Sequence, residues 1–136
     1  MIVIDASVAL KWVLPEEDSI TAKALLAQEL VAPTLWLVES ANALWRFANA
    51  GKLSSPEAQS RLTYLYNAPV TLVPTEDYAR DALDLGVQLR HPIYDCVYLA
   101  AAIRAGTYVV TADTRFLTAV SRRRDLKRHV RLLGED

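Results

Sequence analysis

Apolar residues arrive in this chain in two rhythms. Short β-branched or aliphatic runs, Ile2-Val3-Ile4, Val70-Thr71-Leu72-Val73, Tyr108-Val109-Val110-Thr111 and Val130-Arg131-Leu132-Leu133, are too brief for helices and read as strands. Val31-Ala32 reads as a minimal fifth strand. The stretches between them carry helical signals. Residues 6–13 stop before Pro15, and Glu16-Glu17-Asp18 opens a second helix, reaching about Glu29, at the end where acids suit the dipole. Residues 35–50 form a long, almost wholly apolar segment that ends at Gly51, a favourable residue just past a helix. Ser55-Pro56-Glu57 is a helix start, with Ser55 as cap and Pro56 in the first turn, and that helix runs to about Asn67. Thr75 caps a helix over 76–90 in which Gly86 is awkward, Ile93 to Ala105 stops at Gly106, and Thr114 opens one more to about Arg122.

Short apolar strands alternating with helices imply a parallel sheet covered on both faces, hence an α/β fold. The 136 residues, 52% of them hydrophobic, suit one domain spanning 1–136 and exclude a disordered chain. The lone Cys96 excludes a disulfide scaffold and suits a reducing cytoplasm. No apolar run approaches the ~18 residues of a membrane span, so no membrane partner is expected. MIVIDAS lacks the basic and long apolar regions of a signal peptide.

The net charge of −1 conceals an asymmetry: residues 1–114 carry −5 and residues 115–136 carry +4. Six of the basic side chains fall between Arg122 and Arg131, either a solvated face or a phosphate-binding surface.

In open α/β sheets, sites form beyond the carboxyl ends of strands. Asp5 follows the first strand and Asp113 follows the Tyr108–Thr111 strand. Taken singly, each reads as a helix cap. Glu39 shares a face with Asn42 and Arg46 on the apolar 35–50 helix, and Asp95 opens the 93–105 helix. Four acids that interrupt apolar surroundings, at least two of them at one sheet edge, would repel one another and raise each other's pKa. Hard divalent cations relieve that repulsion, and oxygen-only donors select Mg²⁺ or Mn²⁺. His91, His129 and Cys96 share no zinc-binding spacing.

The blocks I-V-I-D-A-S, E-S-A-N-A-L, Y-D-C-V-Y-L-A-A-A and V-V-T-A-D-T-R-F stand in an order that resembles PIN-domain nucleases, most of all the VapC-type toxins of toxin–antitoxin pairs. The resemblance spans essentially the whole chain. It implies a three-layer α/β/α domain with a five-stranded, mostly parallel sheet, and a Mg²⁺- or Mn²⁺-dependent endoribonuclease acting through metal-activated water. It also implies a homodimer, an RNA substrate and a cognate antitoxin protein that blocks the site. Asp5, Glu39, Asp95 and Asp113 match the family's acidic quartet, with Asp5 and Asp95 as the direct metal ligands. Ser7 and Thr111 match positions that orient carboxylates or waters, and Asn42 matches the polar residue after the family's Glu.

Lys11, Arg46 and Arg115 are candidate phosphate contacts. Trp45 reads as core and Trp12 as an interface residue; Cys96 reads as a small buried thiol and His91 as structural. Phosphate-binding glycine loops are absent. A phospho-receiver needs adjacent acids after the first strand, and a D-x-D phosphatase needs a second acid where Ser7 stands. A DNA nuclease of related fold uses long insertions that the chain lacks. The competing reading from another class is a non-catalytic RNA- or protein-binding α/β module.

Overall fold

The computed structural model describes residues 1–135. Five strands, β1 (Ile2–Ile4), β2 (Leu30–Pro33), β3 (Val70–Val73), β4 (Val109–Thr111) and β5 (Val130–Leu132), form one sheet in the order β3-β2-β1-β4-β5. Every pairing is parallel, so the expected "mostly parallel" sheet is wholly so. Among the described residues, eight α-helices surround it: α1 (Ala6–Val13), α2 (Ser19–Ala24), α3 (Leu35–Asn49), α4 (Ser55–Tyr66), α5 (Ala79–Leu89), α6 (Ile93–Arg104), α7 (Thr114–Ser121) and α8 (Arg124–Lys127).

The strand order reverses at β1, whose neighbours are β2 and β4. Right-handed crossovers then place α1–α4 on one face and α5–α8 on the other. The packing agrees: α1 lies against α2, α3 and α4, whereas α6 lies against α5 and across β1, β2 and β4. Covered on both faces, Val3, Ile4 and Val109 have no exposed surface, and Tyr98, Leu99 and Phe116 complete the centre of the core. Among the described residues no helix is long and apolar enough to cross a membrane.

Several element boundaries differ from the sequence expectation for identifiable reasons. The helix expected from residue 16 to Glu29 is the short α2 followed by a 3₁₀ turn, Leu25–Ala27, because Gln28 turns extended to feed β2. The α4 cap is Ser54, one residue early, and it forms a reciprocal capping box with Glu57. Thr75 does not cap its own segment, which starts as a 3₁₀ turn over Thr75–Tyr78. Its hydroxyl instead accepts the backbone N–H of Leu35 at 2.7 Å, so a residue from beyond β3 caps α3, the helix that bears Glu39.

Gly86 is buried where α5 meets the start of α6. A Cβ there would sit 3.0 Å from both the His91 carbonyl oxygen and Ile93 Cγ2. The glycine that looked out of place in a helix is what lets the α5–α6 turn fold back so closely.

Candidate active site

β1 and β4 end side by side, and the chain after each strand turns into a helix. Asp5 therefore caps α1, accepting the Val8 N–H at 3.3 Å, and Asp113 caps α7, accepting the Arg115 N–H at 2.9 Å. Both acids are caps, as each would be taken singly, and both also line one cleft of about 430 Å³ with Glu39 and Asp95. All four acids singled out from the sequence share that cleft, along with Ser7, Asn42 and Arg46.

The floor of the cleft is a hydrogen-bonded knot. Ser7 Oγ donates to Asp5 Oδ1 at 2.6 Å and accepts the Ala112 N–H at 2.8 Å, tying the end of β1 to the end of β4. Thr111 Oγ1 lies 3.4 Å from Ser7 Oγ and accepts the Asp113 N–H at 3.0 Å. Thr111 is fully buried and Asp5 nearly so. Burial pushes the Asp5 carboxyl up from 3.8 to about 6 against the opposing hydrogen bonds from Ser7, Thr111 and Val8, and the charge of Asp95 adds to the rise.

Glu39 reaches the cleft from α3, on the same face of the sheet as α1 and opposite α6. Burial raises its pKa, the Asp95 charge raises it further, and the Tyr98 hydroxyl, donating at 2.5 Å, lowers it in part. Tyr98 itself is pushed up out of its ordinary range by burial and by Glu39, so it stays a hydrogen-bond donor. Asp95 Oδ2 lies 2.6 Å from Nε2 of His91, four residues earlier in the turn before α6, and the imidazole stacks on Phe116 at a centroid distance of 5.6 Å. One oxygen of each of the four carboxylates is thus committed to a protein donor. Among the described residues, no three acidic, His or Cys side chains are gathered closely enough to hold a metal ion.

The donor set nevertheless fits a hard divalent cation. It consists of carboxylates and neighbouring hydroxyls, and two of its acids, Asp5 and Glu39, are held above their ordinary pKa by burial and by the Asp95 charge. A positive ion placed among them would oppose both shifts.

The remaining sequence candidates divide. Arg46 lines the cleft, and Arg115, with its side chain 90% exposed, lies on an adjoining groove. Lys11 is not brought into either: its ammonium is held by Glu16 at 2.6 Å and Asp18 at 2.7 Å, which corrects its assignment as a phosphate contact. The tryptophan roles are reversed. Trp12 is buried, donates from Nε1 to the Ala22 carbonyl and packs edge-on against Trp36, whereas Trp45 is 59% exposed. Cys96 is the buried thiol expected, with burial pushing it up to about 11. Sequence reasoning missed Tyr98 and set His91 aside as structural, yet both touch the acids directly. The available signal for Tyr98 was spacing, at i+3 from Asp95 on α6; His91 lies before that helix, in the turn that leads into it.

Fold and cleft together define a class, the parallel α/β domains that gather carboxylates where the strand order reverses. Residues 2–121 match the PIN domain family. The chain is 34% identical over 117 residues to Ribonuclease VapC3 of Pyrobaculum aerophilum, an alignment covering 82% of this chain and 88% of that protein. The chain belongs to the PIN-domain family, and within it resembles the VapC ribonucleases. Solved structures agree on the fold. A Pyrobaculum aerophilum protein superposes with a TM-score of 0.72 at 18% identity, covering 97% of this chain and 88% of the other. VapC20 of Mycobacterium tuberculosis, described as a toxin that cleaves the sarcin-ricin loop, superposes with a TM-score of 0.70 at 18% identity, covering 88% and 95%.

Proposed function

We propose that the chain is a single-domain, divalent-metal-dependent endoribonuclease, the toxin of a toxin–antitoxin pair. It acts in the cytoplasm as a homodimer and is held inactive by a cognate antitoxin protein that occupies the cleft. The observation that carries this reading is the buried Asp5, fixed at the β1–β4 switch point in one cleft with Glu39, Asp95 and Asp113, in a chain related to a VapC ribonuclease.

Asp5 and Asp95 would hold the ion directly, with Glu39 and Asp113 completing its carboxylate surroundings. Bound Mg²⁺ or Mn²⁺ supplies Lewis acidity that activates a water and stabilises the leaving oxygen of a phosphodiester. The chain's own residues supply the geometry. Ser7 orients the Asp5 carboxylate and Thr111 holds the Asp113 backbone by hydrogen bonds. Tyr98 holds Glu39 in place, His91 holds Asp95, and Arg46 offers a cation at the cleft for a substrate phosphate. Asn42 adds an amide on the Glu39 face of α3.

The test is cleavage of cellular RNA by the purified chain in Mg²⁺ or Mn²⁺ and in EDTA, beside Asp5→Asn. Cleavage requiring the metal and lost in Asp5→Asn supports the assignment; cleavage by Asp5→Asn at the wild-type rate overturns it. Sequencing RNA ends after brief induction then identifies the target.

A further inference from the structure

Beyond the acidic cleft lies a second groove of about 510 Å³, which shares Asp95 and Asp113 with it as a common wall. Its other charged residues are Arg90, Arg115 and Arg122, from the end of α5, the first turn of α7 and the residue after α7. All three are exposed. Among the described residues, neither Arg90 nor Arg122 has an ion pair or a side-chain hydrogen bond, and Arg115 keeps only a 3.6 Å approach to Asp113. Arg90 is presented by an unusual backbone, the left-handed conformation (φ 52°) at the end of α5.

The basic run seen in the sequence is mostly engaged or turned elsewhere. Arg123 is tied to Asp125 and Gln88, and Arg131 stacks on Tyr108. Only Arg122 of that run reaches this groove, where Arg90, distant in sequence, joins it.

We propose that this groove binds the phosphate backbone of the RNA strand beside the scissile phosphate. The proposal rests on the ribonuclease reading of the adjoining cleft. An anionic strand has to be brought up to four carboxylates, and three guanidiniums on the next surface along offset that repulsion and steer the strand. Guanidiniums suit phosphate oxygens because they donate in a planar fork. The groove offers no exposed aromatic side chain for stacking, since His91 is already stacked on Phe116. It therefore grips backbone without reading bases, whereas the acidic cleft carries the 58%-exposed Tyr94. Shared walls favour RNA over an acidic protein segment, because a strand seated on the acids continues into the groove without leaving the surface.

The experiment uses the full chain carrying Asp5→Asn, which removes cleavage, and a short fluorescein-labelled single-stranded RNA of mixed sequence. Anisotropy titrations across a range of salt compare that parent with Arg90→Gln/Arg115→Gln/Arg122→Gln and with an equal charge change elsewhere, Arg124→Gln/Lys127→Gln/Arg128→Gln. The groove triple is expected to weaken binding roughly tenfold and to reduce the salt slope by about 2, with the second triple unchanged. The corresponding Arg→Lys triple keeps the slope, which separates lost charge from lost folding. Equal binding and slope for parent and groove triple overturns the proposal, as does an equal loss in both glutamine triples. Loss of poly-L-glutamate binding in the groove triple with RNA binding intact also overturns it, in favour of an acidic protein partner. Cleavage by the wild-type chain in Mn²⁺ is scored separately. A cleaving chain with an unaltered groove triple loses only the groove. A chain that cleaves nothing but shows the binding loss keeps the groove and loses the ribonuclease.

Discussion

The Tyr98 hydroxyl, on a side chain with no exposed surface, donates a 2.5 Å hydrogen bond to Glu39, 59 residues away and on the opposite face of the sheet. It joins α6 to α3 over the carboxyl ends of the strands and offsets part of the rise that burial imposes on Glu39. Tyr98→Phe keeps the ring and removes only the donor. It is expected to lower stability by about 1 kcal/mol. Without the donor, the Glu39 pKa rises further, so the acid-side limb of the cleavage pH profile moves to higher pH. An unmoved limb would show that Glu39 does not ionise in the rate-determining range.

Asp5 makes stability depend on pH in a direction opposite to most paired carboxylates. Its folded-state pKa of about 6 lies above the ordinary 3.8, so between those values the folded chain binds more protons than the unfolded one. In EDTA, wild-type stability should therefore fall as pH rises from 4 through 6, by at most about 3 kcal/mol from this residue. Asn at position 5 retains an oxygen for the Val8 cap and carries no charge. Asp5→Asn should flatten that fall and melt at a higher temperature than wild type at pH 7.5 in EDTA, while losing cleavage. Equal melting temperatures there would mean that the Asp5 charge costs the fold nothing.

Lys11 separates the sequence reading from the structure. Its ammonium is held between Glu16 and Asp18, both about half exposed, and clamps the turn from α1 to α2. Lys11→Met should lower stability by no more than about 1 kcal/mol and leave RNA affinity unaltered. A loss of affinity with the melting temperature intact would return Lys11 to the substrate surface.

The legible parts of the site were those whose partners lie close in the chain. Asp5 and Asp113 are readable because a strand end fixes where the next residue must go, and Glu39, Asn42 and Arg46 because helical spacing aligns them. Tyr98 was not, because it stands in an apolar helix that is buried nearly all round, and only tertiary packing supplies the carboxylate its hydroxyl meets. The tryptophans were misread for a related reason. The polar face of α3, with Glu39, Asn42 and Arg46, lines the cleft and so does not mark the solvent side; the structure buries Trp36, Ser40, Ala43 and Leu44, and Trp45 falls outside that set. Arg90 escaped notice because nothing local announces that an arginine will adopt a left-handed backbone at the end of α5.

Gly86 links the fold to the position of Asp95. In an isolated helix Gly→Ala would stabilise by roughly 1 kcal/mol, because alanine loses less backbone freedom. Here the new methyl would press on Ile93 Cγ2 and on the His91 carbonyl, both at 3.0 Å, and the backbone oxygen has no rotamer by which to move aside. Those atoms belong to the turn that carries His91 and opens α6, so relief of the clash shifts His91 and with it the Asp95 carboxylate. Gly86→Ala is expected to cost about 1–2 kcal/mol of stability, within the usual range for overpacking. It should also raise the Mn²⁺ concentration required for half-maximal cleavage, with far-ultraviolet circular dichroism unchanged. If Gly86→Ala instead melts higher than wild type at the same Mn²⁺ requirement, helix propensity has won, and the tight α5–α6 approach does not position Asp95.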